Sequence, residues 1–360
     1  MKIRDRYITK TLLNFTLVVL FVWLSIYSFF NFLEELNSIG SSGYSILEAI
    51  KYILLQMPDV AYSQASPVIL LGCVLGMGHL ATTSQIIIFR ASGASILNIT
   101  WLAVKNALFF ITVIILIGEF FAPLLTNYAK DGRAEALGSI NSSTHQKGFW
   151  IRDGDNFINV NRTDAGLFKG ITIIEVNSSN TIRRVVKAEN ALFDGKSLDM
   201  SNGEIFEISS LNLIEDISLK KRNSYFKNVS FDQDLINSLE KEPKDLTTYT
   251  IFKQIKFLSD NKLRSGVFEV ELYKRLIKPL TLVAMILLAM LFIFGSTRDA
   301  SLGRKIFFGV ALGLSFEMIS RIGGVLALSL DFSPLISFIL PTVAVLLLSM
   351  TLLIKKSTNY

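Results

Sequence analysis

Apolar residues gather in long blocks before residue 126 and after residue 269, while the stretch between them alternates like soluble protein. Six blocks, about 11 to 33, 53 to 81, 100 to 125, 270 to 294, 305 to 329 and 335 to 354, approach the ~20 residues that a helix needs to cross ~30 Å of hydrocarbon. The pattern predicts a membrane α-helical bundle of six transmembrane helices. The first block is long and has no small-residue cleavage site, so it reads as an uncleaved span rather than a signal peptide. Between about 140 and 235 the pattern predicts strands and tight turns. Asp153-Gly154, Asp194-Gly195 and Asn202-Gly203 are dipeptides of type I′ hairpins, and together they predict an inserted antiparallel domain, a β-sandwich or jelly roll. From Leu246 to Arg264, Tyr249, Phe252, Ile255 and Phe257 recur at nearly helical spacing, which predicts a helix connecting back to the membrane. The expected domains are 1–125 with spans one to three, 126–268 with the β domain and connecting helix, and 269–360 with spans four to six.

Composition agrees with membrane insertion: 51% of the 360 residues are hydrophobic, 18% are charged and the mean hydropathy is +0.45. Orientation follows from lysine and arginine in the short flanks. Lys2, Arg4, Arg6 and Lys10, then Arg298, Arg304 and Lys305, then Lys355 and Lys356 share one side when the helix count is even. Both termini are therefore expected in the cytoplasm and the β domain in the periplasm. The net charge of +6 does not form a basic stripe interleaved with aromatics, so no nucleic-acid partner is expected. Cys73 is the one cysteine and lies inside an apolar block, so the β domain is held without a disulfide.

Catalytic groups do not converge. His79 and His145 are the only histidines and fall in different compartments, which leaves no metal-site motif. Gly195-Lys196-Ser197 resembles the end of a phosphate-binding loop, but Asn190 stands where the first glycine belongs. No catalytic residue, metal or cofactor is expected, and any energy must come from a partner. The connection TTSQIIIFRASGASILNIT opens with Thr82, Thr83 and Ser84 as candidate N-caps, places Ile86, Phe89 and Arg90 together, and reaches Gly93 as a stop. Pattern alone leaves two readings, a helix docking in a partner's groove and a helix lying at the lipid interface.

Several segments in order, FLEELNSIGSSGYSILEAIKYILLQMP, LLGCVLGMGHLATTSQIIIFRASG, IGEFFAP, GFWIRDGDNFINV, LYKRLIKPL, LFIFGSTR and IFFGVALGLSF, resemble the permeases of the lipopolysaccharide export system, the LptF/LptG family, on its LptG-like side. The resemblance covers nearly the whole chain. It implies a permease subunit of an ABC-type exporter that extracts lipopolysaccharide from the inner membrane and passes it to a periplasmic bridge. The implied partners are an LptF-like permease subunit, an LptB-like ATPase dimer, and LptC- and LptA-like bridge proteins. It further implies an inserted jelly-roll domain and a coupling helix at about 83–93, with Gln85, Phe89, Arg90, Ala91, Ser92 and Gly93 as the ATPase contact. Gln85 stands where the family carries Glu. Lipid contacts are implied for Glu34, Lys130 and Arg133, while Asn31 occupies a position that is basic in the family; Phe316 and Arg321 of the fifth span are further candidate lipid contacts, Arg321 on its charge inside a membrane helix rather than on the resemblance. The alternative is a mechanotransmission or scaffold subunit that passes ATPase motion to the β domain without lipid entering the bundle.

Two further features keep two readings each. Gly72 and Gly76, like Gly309 and Gly313, form GxxxG patterns that suit close helix contact or merely tolerate a membrane helix. Glu317 and Arg321, four apart on one face of the fifth span, suit a structural ion pair or a lipid contact.

Overall fold

The computed structural model describes residues 3–41, 43–138, 148–164, 167–177, 181–211, 214–232, 235–236, 238, 241–294, 302–330 and 332–358. Lys2, His145 and Arg298 lie outside the described residues. The chain forms two compact units, Met1–Arg133 with Glu269–Tyr360, and Ala134–Phe268. The β unit thus begins later than the expected boundary at 126, because the third span runs on as helix.

The helical unit contains α1 (Ile3–Glu35), α2 (Ile46–Ser63), α3 (Ala65–Thr82), α4 (Gln85–Ala91) and α5 (Ile96–Leu116). A π-helical turn, Ile117–Phe121, joins α5 to α6 (Ala122–Ala136). After the β unit come α8 (Gly266–Ile293), α9 (Leu302–Ser329) and α10 (Pro334–Thr358). Six helices among the described residues are long and apolar enough to cross a membrane: α1, α3, α5 with α6, α8, α9 and α10. The second expected span is divided at Gln64 into α2 and α3, and only α3 meets the length and hydropathy of a crossing.

Helix α3 is the packing centre. Its apolar segment is 78% buried, against 11% for α1. Small residues on two helices make this possible. A Cβ on Gly72 would fall 2.6 Å from the Thr16 Cα of α1, and one on Gly313 would fall 3.2 Å from the Pro67 Cα of α3. Both GxxxG patterns therefore mark helix contacts, α3 against α1 and α9 against α3. In α5–α6, Gly118 lies in the π-turn with the Tyr62 ring where its Cβ would be.

In the other unit the expected antiparallel domain is present, inserted between helices. Its described strands are β1 (Phe149–Asp153), β2 (Asn156–Asp164), β3 (Leu167–Val176), β4 (Ile182–Phe193), β5 (Ser197–Leu211) and β6 (Ile214–Asn228), each paired with the next in one sheet. Ile158, Phe168, Ile173, Val186, Leu198 and Met200 fill one face. Phe168 stacks on Phe193, which meets Phe231 just beyond β6. Inward positions change parity along the strands, from Phe168 to Ile171 in β3 and from Ala188 to Ala191 in β4. The break lines up across the sheet at Asn161, Gly170, Glu189 and Asn202, where pairing lapses, and Gly170 and Asn202 have positive φ. The sheet creases there and keeps one core.

The turn assignments need correction. Asp153 pairs with Asn156, so the first loop is Gly154-Asp155, and the second is Gly195-Lys196. Only the glycine of each pair has positive φ, the type II′ pattern rather than I′. The aspartates sit one place earlier because their carboxylates serve as acceptors: Asp194 takes the N–H groups of Lys196 and Ser197, and Asp153 takes that of Ser230. Asn202-Gly203 is no turn at all; it lies inside β5 at the crease. A 3-10 turn, Pro243–Asp245, leads to α7 (Thr248–Asp260), whose Thr247 side chain accepts the Thr250 N–H. Its core face is Ile251, Gln254 and Phe257, whereas Tyr249 and Phe252 are exposed, so the apolar spacing predicted the helix but not its buried side.

Candidate functional site

Three places in the helical unit concentrate polar chemistry. The first is α4. Its seven residues are isolated by a left-handed residue at each end, Ser84 (φ 60°) before it and Gly93 (φ 87°) after it. The ending is a Schellman motif: Ala94 N–H donates to the Phe89 carbonyl and Gly93 N–H to the Arg90 carbonyl. The beginning departs from expectation, since Ser84 makes no side-chain cap and the Thr83 hydroxyl donates back to the His79 carbonyl of α3. Ile86 anchors α4 in the helical core, and Phe89 packs against that core from its edge. Ile87 and Ile88 point outward, 48% and 63% exposed. Arg90, Ala91 and Gly93 border a cavity of about 560 Å³ shared with Ile293 and Ser357. Gln85 is half-buried, and its Oε1 is buried without a partner among the described residues. Ser92 is exposed, its hydroxyl bonded to the Phe89 carbonyl at 2.8 Å. Lys356 donates to the Phe294 carbonyl at 3.1 Å, tying the end of α10 to the end of α8 beside that cavity.

The second place lies where α1 ends and α6 passes. Arg133 donates through Nε to both oxygens of Glu35 at 3.0 Å and through a terminal nitrogen to Ser38 at 3.3 Å. The Tyr44 hydroxyl donates to Glu35 at 2.9 Å, and the guanidinium lies over the Tyr44 and Tyr52 rings. Burial, reinforced by the neighbouring Glu35 carboxylate, pushes the Tyr44 phenol up to about 12. The sequence singled out Glu34, which is exposed; the acid that engages Arg133 is its neighbour Glu35, 8% exposed. Lys130 is half-buried one turn before Arg133.

The third place is a cavity of about 310 Å³ among α8, α9, α10 and the start of α3. Glu317 and Arg321 pair across one turn of α9 at 3.4 Å, the acid 17% and the base 70% exposed. Phe316 is buried in the helical core and lines the same cavity. Lys278 also lines it, and no sequence pattern drew attention to that residue. Its place inside an apolar run was the signal available.

Helices long and apolar enough to cross a membrane, six among the described residues, packed about a central small-residue helix, with a short connector helix and an inserted β unit, define a polytopic membrane protein. The chain belongs to the family described as lipopolysaccharide export system permease LptF/LptG, whose model matches residues 6–355. It is similar to lipopolysaccharide export system permease protein LptG of Escherichia coli (strain K12), 28% identical over 354 residues and 98% of each chain. The protein of the same name from Haemophilus influenzae (strain ATCC 51907 / DSM 11121 / KW20 / Rd) is 25% identical over the same share. The chain is accordingly a multi-pass inner-membrane protein.

Proposed function

We propose that this chain is the LptG-type permease subunit of an ABC-type exporter that draws lipopolysaccharide from the inner membrane and passes it to a periplasmic bridge. An LptF-type subunit completes the bundle, an LptB-type ATPase dimer hydrolyses ATP, and LptC- and LptA-type proteins receive the lipid. The observation that carries this reading is α4: a rigidly stopped helix, pinned by Ile86 and presenting Ile87 and Ile88, is built to receive motion from a partner's groove. In this reading Gln85, Phe89, Arg90, Ala91, Ser92 and Gly93 form the ATPase contact, both termini are cytoplasmic and the β unit is periplasmic. Lys130 and Arg133 meet lipid phosphates, with Arg133 pre-oriented by Glu35, and Glu34, exposed near the end of α1, is a further lipid contact. Phe316 and Arg321 belong to the wall of the bundle that the lipid passes.

Arg90→Glu tests the reading. Co-purification of the ATPase should be lost, or its turnover should be uncoupled from export, with abundance of the chain in the membrane unchanged. ATPase recovery and export both at the wild-type level would place the contact elsewhere.

A further inference from the structure

Three stretches of chain meet at Arg133: the end of α1 with its connection to α2, α2 itself, and α6. The connection folds back on itself. Gly40 takes a positive φ of 89°, its N–H donates to the Tyr44 carbonyl at 3.0 Å, and the Tyr44 N–H donates to the Ser41 carbonyl at 2.9 Å. That return sets Tyr44, 1% exposed, against Glu35, and Ser45 then caps α2 by accepting the Glu48 N–H. Tyr52 follows on α2, half-buried. The Arg133 guanidinium lies over both rings, its central carbon 5.8 Å from the centre of Tyr44 and 5.4 Å from that of Tyr52. Both distances are within reach of an attractive cation–π contact.

A guanidinium is planar and carries five N–H donors in a fixed fork. Nε donates to both oxygens of Glu35 and Nη2 donates to Ser38, so one edge of the plane is bound. Among the described residues, the two hydrogens of Nη1 and the second of Nη2 have no acceptor. They form the adjacent edge of the fork, on a side chain that is 31% exposed. Two neighbouring donors on one edge match two oxygens of a phosphate. The ion pair alone would let the plane swing about its bound edge, and the rings remove that freedom. Tyr44 is also needed for the turn that closes on Glu35. Tyr52 has no such second task, since its hydroxyl makes no hydrogen bond among the described residues and its ring meets the cation.

We infer that Tyr52 is a positioning residue for phosphate recognition: with Tyr44 it fixes the plane of the Arg133 guanidinium, so that the free edge of the fork is held ready for a phosphate of the exported lipid. This rests on the reading of Arg133 as a phosphate contact given above. The rings also explain why the position takes arginine, because an ammonium has no plane for them to orient.

The test uses the full chain in its purified complex in detergent, titrated with lipid A carrying its phosphates and with the same lipid dephosphorylated. The quantity read is the ratio of the two dissociation constants. Wild type should prefer the phosphorylated lipid, and Tyr52→Phe should keep that preference because the ring remains. Tyr52→Leu should reduce the preference about fivefold, the size of one partly desolvated cation–π contact, with affinity for the dephosphorylated lipid unchanged. Tyr52→Met, of similar bulk without a ring, gives the same measurement if the leucine variant fails to assemble. Arg133→Gln, combined with Glu35→Gln so that no carboxylate is stranded, reports on the underlying reading and should lose the preference. If that double variant keeps the preference, the reading of Arg133 fails and the inference with it. If it loses the preference while Tyr52→Leu keeps it, the inference alone is overturned. Equal weakening of both lipids by Tyr52→Leu, or loss of preference in Tyr52→Phe as well, would also overturn it.

Discussion

The helical unit and the β unit solve the same packing problem in opposite solvents. In the β unit the large apolar side chains point inward, with Phe168, Ile173 and Met200 buried, while ion pairs such as Lys220–Glu207 lie on the surface. In the helical unit Phe21 and Phe30 of α1 are 72% and 60% exposed, and the polar pairs are drawn in, with Glu35, Arg275 and Lys278 all below 10%. Without a water-driven force between helices, that unit relies on close backbone approach and on satisfied polar contacts. The β unit relies on a core.

The largest contrast should come from glycine. A Cβ on Gly72 falls on the Thr16 backbone, which has nowhere to move. Gly72→Leu should displace α1 from α3 and remove most of the chain from the membrane, read as abundance and as thermal stability of the purified complex; overpacking usually costs about 1–3 kcal/mol and more where backbone is struck. The turn glycine Gly195 has open space and only a positive φ to lose, so Gly195→Ala should cost about 1–2 kcal/mol. Similar losses from both would erase the distinction between the two units.

Ion pairs come next. Arg133→Gln leaves the buried Glu35 without its cation and should cost about 1.5–3 kcal/mol of stability in detergent. Adding Glu35→Gln should restore part of it, because a neutral pair no longer strands a charge. The matching cycle on Lys220 and Glu207, whose side chains are 57% and 30% exposed, should give a coupling of about 0–1 kcal/mol. A larger coupling on the sheet than in the bundle would contradict the comparison.

The smallest effect is a pH dependence confined to the β unit. Burial pushes the Glu175 carboxyl up, but Lys227 and Arg184 outweigh it and hold the group below the usual carboxylate range. Asp232 is likewise lowered, burial being overcome by Lys253 and the Leu235 N–H. Groups lowered on folding stabilise the folded state above their unfolded pKa, about 4, and that contribution disappears as pH falls through the folded value. Hydrogen exchange of the full chain between pH 6 and 3, corrected for intrinsic rates, should therefore show β4–β6 protection falling at the acid end. Glu175→Gln should flatten that fall; an unchanged slope would remove Glu175 from the account.

Much of the architecture was legible along the chain, because length and hydropathy are local properties. The spans, the inserted antiparallel domain, the helix after it and the stop at Gly93 all follow from runs, periods and a residue that accepts positive φ. What failed was local chemistry with two outcomes. Asp-Gly named the hairpins but misplaced their loops by one residue, since the aspartate was needed as an acceptor. Asn202-Gly203, with the same signature, became a crease because neighbouring strands break at the same level.

Tertiary structure alone decided which side chains meet. Glu34 and Glu35 are indistinguishable in sequence, and the rotation of α1 about its axis sends Glu35 inward to Arg133, 98 residues away. The same holds for GxxxG, where only a partner helix turns tolerated glycines into a contact, and for Lys278, which reaches the Ser63 carbonyl 215 residues away. Periodicity fixes which residues share a face of one helix; the angle at which that face is presented is set by every helix packed around it.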